Sequence, residues 1–283
     1  KTLLFCMLGL GLTACGSSPK GTNGDQDELA MLIGTYTNGS SKGIYTFRFN
    51  QETGTAVPLS SAALPNPSYS SPRKMANLSM PSVNERQHSS LSSLAFDRET
   101  GELRLLNTVP TFGADPCYVA TNGREVLTAN YSGGTMSVFP LQKDALWLLQ
   151  TRSFKALPPV PTPYGKPLPT SIAGLFTDGK YIFATDFSAD RILRFVMHPD
   201  NPIPHASLEA VGIEADPARA IDISPNGKFA YLITELSGKV IAFSYDDGCL
   251  EQIQTITADT VAARGSADIH LSPDGKYLYA STV

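Results

Sequence analysis

The sequence predicts an all-β protein made of a repeated four-stranded unit. Two observations carry this: a turn signal that returns at a nearly fixed step, and strand-like runs between one turn and the next. Asn-Gly or Asp-Gly stands at Asn122-Gly123, Asp178-Gly179, Asn226-Gly227 and Asp274-Gly275, so the glycines are 56, 48 and 48 residues apart. Each pair leads through a basic residue into an apolar run: EVLTANYSGGTMSVF, YIFATDFSADRILRF, FAYLITELSGKVIAF and YLYASTV. Self-similarity at such a period marks a repeat architecture, and four strands in about 40–50 residues is the size of a propeller blade. A sandwich or irregular β-helix also has many short strands but rarely repeats them at a fixed step.

The elements follow in order within each copy. The Asn-Gly or Asp-Gly pair supplies the positive φ that a tight hairpin turn needs. The next five to seven residues, such as Tyr181-Ile182-Phe183-Ala184-Thr185, are β-branched, aromatic or small, as in a strand covered on both faces. A polar turn follows (Ser132-Gly133-Gly134, Ser188-Ala189-Asp190, Ser237-Gly238), then an alternating strand such as Val240-Ile241-Ala242-Phe243-Ser244-Tyr245. A second turn, Glu99-Thr100-Gly101 or Asp246-Asp247-Gly248, precedes a more polar fourth strand over 103–107 or 250–256. A copy without its turn opens the domain at Ala30-Met31-Leu32-Ile33-Gly34 and Gly43-Ile44-Tyr45-Thr46-Phe47. From Glu28 onward the chain holds about five and a half such units.

Ahead of the repeats lies a different kind of sequence. Lys1 and Thr2 precede an apolar run over 3–12, which has the length of a signal-peptide core and is too short to span a bilayer. Leu12-Thr13-Ala14-Cys15 then resembles a bacterial lipobox, so residues 1–14 are expected to be a signal peptide and Cys15 a lipidated N-terminus. Residues 15–28 read as a flexible tether, and 29–283 as the propeller domain. The expected location is the bacterial cell envelope, with the periplasmic and surface sides both open.

Composition removes several functions. A formal charge of −4 and no Lys/Arg run leave no basic face for nucleic acid. Cys117 and Cys249 are too far apart in sequence for a disulfide framework and lack any zinc-type spacing, so both are read as buried small hydrophobes. No cofactor or metal is implied. The chain has no G-x-S-x-G, P-loop, G-x-G-x-x-G or H-E-x-x-H motif.

Five stretches, taken together and in order, resemble the seven-bladed β-propeller lactonase family, which includes 6-phosphogluconolactonase and the fungal carboxymuconate-cyclising enzyme. They are IGTYTNGSSKGIYTFRFNQETG (33–54), FGADPCYVATNG (112–123), LTANYSGGTMSVFPL (127–141), SPNGKFAYLITELSGKVIAFSYDDG (224–248) and GSADIHLSPDGKYLYAS (265–281). Two stretches depart from the family pattern and read as local shifts of reading frame. Residues 70–82 lack the expected apolar strand, and 145–176 lack a Pro-His-x-His element. The chain also holds fewer blades than seven, so it is read as truncated.

The resemblance implies hydrolysis of a sugar lactone, 6-phosphogluconolactone or a related aldonolactone, at the propeller's axial channel. Opening a lactone needs a group to activate water and positive donors for the carbonyl oxygen. By motif, Arg219 in Asp216-Pro217-Ala218-Arg219 matches a substrate-binding Arg, and Glu235 in Leu232-Ile233-Thr234-Glu235 matches an acidic residue. Glu235 is the expected general acid or base, Arg219 the anion clamp, and His270 a group to orient substrate or move a proton. Asn84, Glu85, Asn130, Tyr131, Asp186 and Asp268 are further candidates to line the channel or bind substrate. His198 and His205 fall in a Pro-rich stretch read as surface loop. Ala220 stands where the family often pairs His with the Arg. Each of these residues also has a structural role open to it, an ion pair for Arg219 and Glu235 or a packing histidine for His270. The alternative to an enzyme is a surface propeller that binds a glycan or protein without turnover. A monomer is expected.

Overall fold

A computed structural model describes residues 28–72, 78–83, 89–141, 152–155, 171–198, 201–213, 216–261 and 264–282. Cys15, the leader and nearly all of the tether lie outside these residues.

The described residues form six antiparallel sheets, each built from strands consecutive in sequence. The first holds β1 (Glu28–Gly34), β2 (Gly43–Asn50) and β3 (Ala56–Ala63). The second holds β4 (Pro67–Pro72), β5 (Leu78–Val83), β6 (Ser90–Phe96) and β7 (Leu103–Pro110). The third runs β8 (Pro116–Thr121), β9 (Glu125–Asn130), β10 (Thr135–Pro140) and β11 (Arg152–Lys155). The fourth holds β12 (Ile172–Thr177), β13 (Tyr181–Asp186), β14 (Arg191–His198) and β15 (Asn201–Gly212). In the fifth are β16 (Ala218–Ile223), β17 (Phe229–Thr234), β18 (Lys239–Asp246) and β19 (Cys249–Thr257). The sixth pairs β20 (Asp268–Leu271) with β21 (Leu278–Ser281). One 3-10 turn, Phe187–Ala189, is the only helical element among the described residues.

The apolar core is divided into separate slabs, one between each sheet and the next. Ile44 and Leu64 meet Leu103 between the first two sheets, and Leu91 and Val109 meet Val119, Val126 and Phe139 between the second and third. Leu127 and Met136 pack on Leu175, Ile182 and Leu193. Phe183 and Ile192 pack on Ile221, Leu232 and Phe243. Ala220, Ile233 and Val240 pack on Ile269 of the sixth sheet. Every residue of the second strands β9 and β13 is therefore buried, so both faces of these two strands are covered. The outermost strands are polar, with β19 exposed along nearly its whole length. This radial stacking, in which the first strands β4, β8, β12, β16 and β20 neighbour one another in turn, is a β-propeller.

The turn glycines behave as expected, with one refinement. Gly123, Gly179, Gly227 and Gly275 all take positive φ (87°, 94°, 64° and 70°), but the preceding Asn or Asp does not. That residue acts through its side chain instead. Asp178 Oδ1 accepts the backbone N–H of Lys180 (2.8 Å) and Tyr181 (2.7 Å), and Asn122 Oδ1 accepts those of Arg124 (2.9 Å) and Glu125 (2.8 Å).

Three expectations need correcting. The two stretches read as disturbed nonetheless form blade strands. β4 and β5 pair over 67–83, and β12 carries buried Ile172, Ala173 and Leu175 into the core. His198 and His205 lie in the β14–β15 hairpin, not in a loop. The prolines around them are compatible with this because β15 is the outer strand of its sheet, where a missing N–H breaks no ladder. Cys249 is exposed, since it opens the outer strand β19.

Asp190 closes the 3-10 turn in a left-handed conformation (φ 50°) and is 9% exposed. Burial, with Asp216 and Asp186 nearby, pushes its carboxyl up to about 6. A carboxyl with raised folded-state proton affinity stabilises the fold most at pH below its unfolded value near 4. That contribution is lost as pH rises through about 6. Asn tolerates the left-handed backbone, so Asp190→Asn is expected to raise the unfolding free energy at pH 8 by about 1–2 kcal/mol, with the gain vanishing towards pH 4. Urea unfolding at both pH values checks this; an equal effect at pH 4 and 8 would contradict it.

Candidate active site

The site begins with a defect that recurs at the same place in four blades. In four first strands the pairing register skips one residue: Ser68 in β4, Cys117 in β8, Ala173 in β12 and Arg219 in β16. A bulge re-aims the side chain of the extra residue, and Ser68, Cys117 and Arg219 all line a cavity of about 890 Å³. The bulges are also bonded to one another around the axis. Ser68 Oγ donates to Pro116 O (2.6 Å), Cys117 Sγ to Ala173 O (3.3 Å), and Arg219 Nη1 to the same Ala173 O (3.2 Å). The second to fifth sheets are thus tied, each to the next, at the rim of the site.

A second ring of positions follows the second strands. Glu235 comes directly after β17 and Tyr131 directly after β9, and both face the cavity. The sixteen-residue spacing places Arg219 and Glu235 on adjacent strands of one sheet, where Arg219 Nε meets Glu235 Oε2 at 3.0 Å. Glu235 is anchored through its backbone, its N–H donating to Pro217 O (3.0 Å) and its carbonyl accepting from Ser266 N (3.0 Å). Asp268, at the start of β20, also lines the cavity.

The environment sets the protonation of this cluster. Burial raises the Glu235 carboxyl above its ordinary range, against the pull of Arg219. Burial works against the Arg219 charge, but Cys117, Glu235 and Tyr131 outweigh it and the guanidinium holds its proton more tightly than usual. Tyr131 is raised by burial and by Glu235, so its phenol stays a donor. The Cys117 thiol is likewise raised by burial, against Arg219.

Other residues singled out from sequence lie elsewhere. His270 does not line the cavity; its Nε2 is 3.0 Å from Asp268 Oδ2 and its Nδ1 3.9 Å from Asp222 Oδ2. Burial opposes its protonation, but the hydrogen bond to Asp268 and the charge of Asp222 prevail and raise its pKa. Asn130 is fully buried, its amide donating to Thr135 Oγ1 (2.9 Å) and Ser137 Oγ (2.9 Å), so it faces the blade and not the channel. Asp186 is buried against Arg191 (2.8 Å). Asn84 and Glu85 fall outside the described residues.

Sequence reasoning missed Asn66, Ser68 and Asp115 and took Cys117 for core, yet all four line the cavity. A signal was present. Asn66-Pro67 and Asp115-Pro116 each set a short polar residue directly before a first strand, and Asp216-Pro217 stands one residue farther ahead of its own.

Fold and site together define a β-propeller whose axial cavity holds a half-buried arginine–glutamate pair. The family model for the seven-bladed β-propeller lactonases matches residues 30–282. Among curated relatives, a 6-phosphogluconolactonase of Bacillus subtilis is 32% identical over 261 residues, covering 88% of this chain and 73% of the relative. A candidate 6-phosphogluconolactonase crystal structure from Bacteroides uniformis is 76% identical, with a TM-score of 0.85 over 91% of this chain and 76% of that one. The periplasmic gluconolactonase of Pseudomonas aeruginosa is 28% identical with a TM-score of 0.78, covering 89% and 75%. The chain belongs to the seven-bladed β-propeller lactonase family, and so to a class of hydrolases. It spans about three quarters of the length of these relatives.

The buried Asn130 network supports the loop that carries Asp115, because Ser137 Oγ, which accepts from Asn130, also bonds Thr111 O. Asn130→Ala would leave Thr135 and Ser137 without their donor and is expected to cost about 2–3 kcal/mol. Urea unfolding measures it; a loss below 0.5 kcal/mol, roughly the size of a neutral surface change, would contradict this reading.

Proposed function

We propose that this protein hydrolyses a sugar lactone in the axial cavity, with Glu235 as general base then acid and Arg219 as the clamp for the carbonyl oxygen. The observation that carries the reading is the 3.0 Å Arg219–Glu235 pair at the wall of a roomy, polar cavity. Glu235 takes a proton from water as its oxygen attacks the lactone carbonyl carbon. The negative charge that develops on the carbonyl oxygen falls to Arg219, whose planar fork suits an oxyanion or carboxylate. The ring C–O bond then breaks, and the proton held by Glu235 passes to the departing ring oxygen, leaving a hydroxy acid. A carboxyl lifted by burial suits both halves of this exchange, since proton affinities nearer neutrality favour acid–base work. Tyr131, a neutral donor beside the pair, supports the carbonyl oxygen or a substrate hydroxyl.

Attachment to the cell envelope through a lipid on Cys15 and a monomeric state belong to the same proposal. The lipobox-like Leu12-Thr13-Ala14-Cys15 supports the first.

Glucono-δ-lactone opening, corrected for the spontaneous rate, tests the catalytic reading. Glu235→Gln is expected to lower kcat/KM by about 10²–10⁴-fold while circular dichroism and Tm stay near those of the parent. Activity of the parent should fall as pH drops through a value above the usual carboxylate range, and that limb should disappear in the variant. Arg219→Met should lower kcat by about 10²-fold. Full activity in Glu235→Gln would overturn the assignment. A parent with no rate above background, yet able to bind sugars, would favour a binding propeller.

A further inference from the structure

We propose that the cavity selects an unphosphorylated sugar lactone over its 6-phospho counterpart, with Asp115 setting the preference. This choice of substrate rests on the hydrolase reading above and extends it to the substrate's charge.

Among the described residues that line the cavity, three carboxylates (Asp115, Glu235 and Asp268) stand beside one cation, Arg219. Arg219 is matched by Glu235 at 3.0 Å, and Asp268 is matched from behind by His270 at 3.0 Å. Asp115 adds a further carboxylate to the same wall. Its position is fixed by the backbone. Asp115 sits at φ 54°, and its carbonyl accepts the N–H of Tyr131 at 2.9 Å. The loop behind it is pinned by Thr111 Oγ1, which donates to Ser89 O (3.1 Å) and Gly113 O (2.9 Å). Gly113 packs so closely on Asn130 and Thr135 that a Cβ there would lie 2.3 Å from Thr135 Oγ1. The loop has little room to swing Asp115 out of the cavity.

The rest of the wall favours a neutral polyol. Asn66 can offer its amide N–H groups and Ser68 its hydroxyl oxygen to sugar hydroxyls, and the rings of Tyr69 and Tyr118, 4.4 Å apart and tilted by 34°, offer apolar surface to C–H groups. A phosphate monoester carries about −1.5 to −2 charges near neutral pH. Brought against Asp115 in a partly desolvated cavity, it is repelled where a hydroxymethyl group is not.

Steady-state kinetics of the full chain on glucono-δ-lactone and 6-phosphogluconolactone tests this, together with calorimetric binding of gluconate and 6-phosphogluconate. The expected result is a kcat/KM ratio of at least about tenfold in favour of the neutral lactone at low salt. That ratio should narrow several-fold as ionic strength rises to about 0.5 M. Asp115→Asn keeps a residue that tolerates the left-handed backbone and should move the ratio towards the phosphorylated lactone by about fivefold or more. Equal or better turnover of 6-phosphogluconolactone by the parent would overturn the proposal, as would a ratio that ignores both Asp115→Asn and salt. Binding separates the two levels. Tighter binding of gluconate with no hydrolysis of either lactone would uphold the charge preference and sink the hydrolase reading. Tighter binding of 6-phosphogluconate would sink the preference whatever the kinetics.

Discussion

The inner strands β9 and β13 are buried on both faces, and among the described residues no α-helix covers either one. Leu127 and Met136 on one sheet, and Phe183 and Phe243 farther on, can leave water only by meeting the sheet that follows or precedes them. This pairwise burial is the constraint from which the rest follows. It sets the radial order of sheets, turns the first strands towards a common axis, and leaves the polar outer strands to solvent. Stability in such an array is close to a sum of neighbour terms, so each slab of core matters mainly to the two sheets beside it.

The axis could have closed into a plain bundle of strand edges. Instead the bulges at Ser68, Cys117, Ala173 and Arg219 break the ladder at equivalent heights and turn side chains and carbonyls inward. Ala173 is the smallest of the four, and its carbonyl takes bonds from both Cys117 and Arg219. The same small residue leaves space for the guanidinium to cross from the fifth sheet towards the fourth. Chemistry here is a product of register. As the residue that the β16–β17 register skips, Arg219 leaves the strand's alternation and lines the cavity beside Glu235.

Much of the fold was readable because its signals are local. A glycine that must take positive φ, a run such as Tyr181-Ile182-Phe183-Ala184-Thr185 and a polar outer strand each announce themselves within a few residues. Arg219 and Glu235 were legible through their match to the family's motif, and because both lie in one hairpin, strand pairing brings them together. What stayed hidden depends on contacts between blades. Cys117 looks like any small core residue until the bulge aims it at Ala173. Asn130 sits one position before a channel residue, and a shift of one reverses the face it presents. His198 and His205 looked like loop because prolines surround them, but the edge of a sheet tolerates what its centre does not. The stretch ending in Ile172-Ala173-Gly174-Leu175 lacks the family's Pro-His-x-His element, yet its small and branched apolar residues fill the slot between two sheets.

The account stands on a single placement: reacting groups from one hairpin converging with residues of other blades on one axial cavity. A crystal structure of the protein with an aldonate bound tests that placement most directly. The carboxylate should lie on the Arg219 guanidinium within hydrogen-bonding reach of Glu235, with the polyol chain against the Tyr69 and Tyr118 rings. An aldonate bound outside the axial cavity, with Arg219 and Glu235 still paired and untouched, would contradict it.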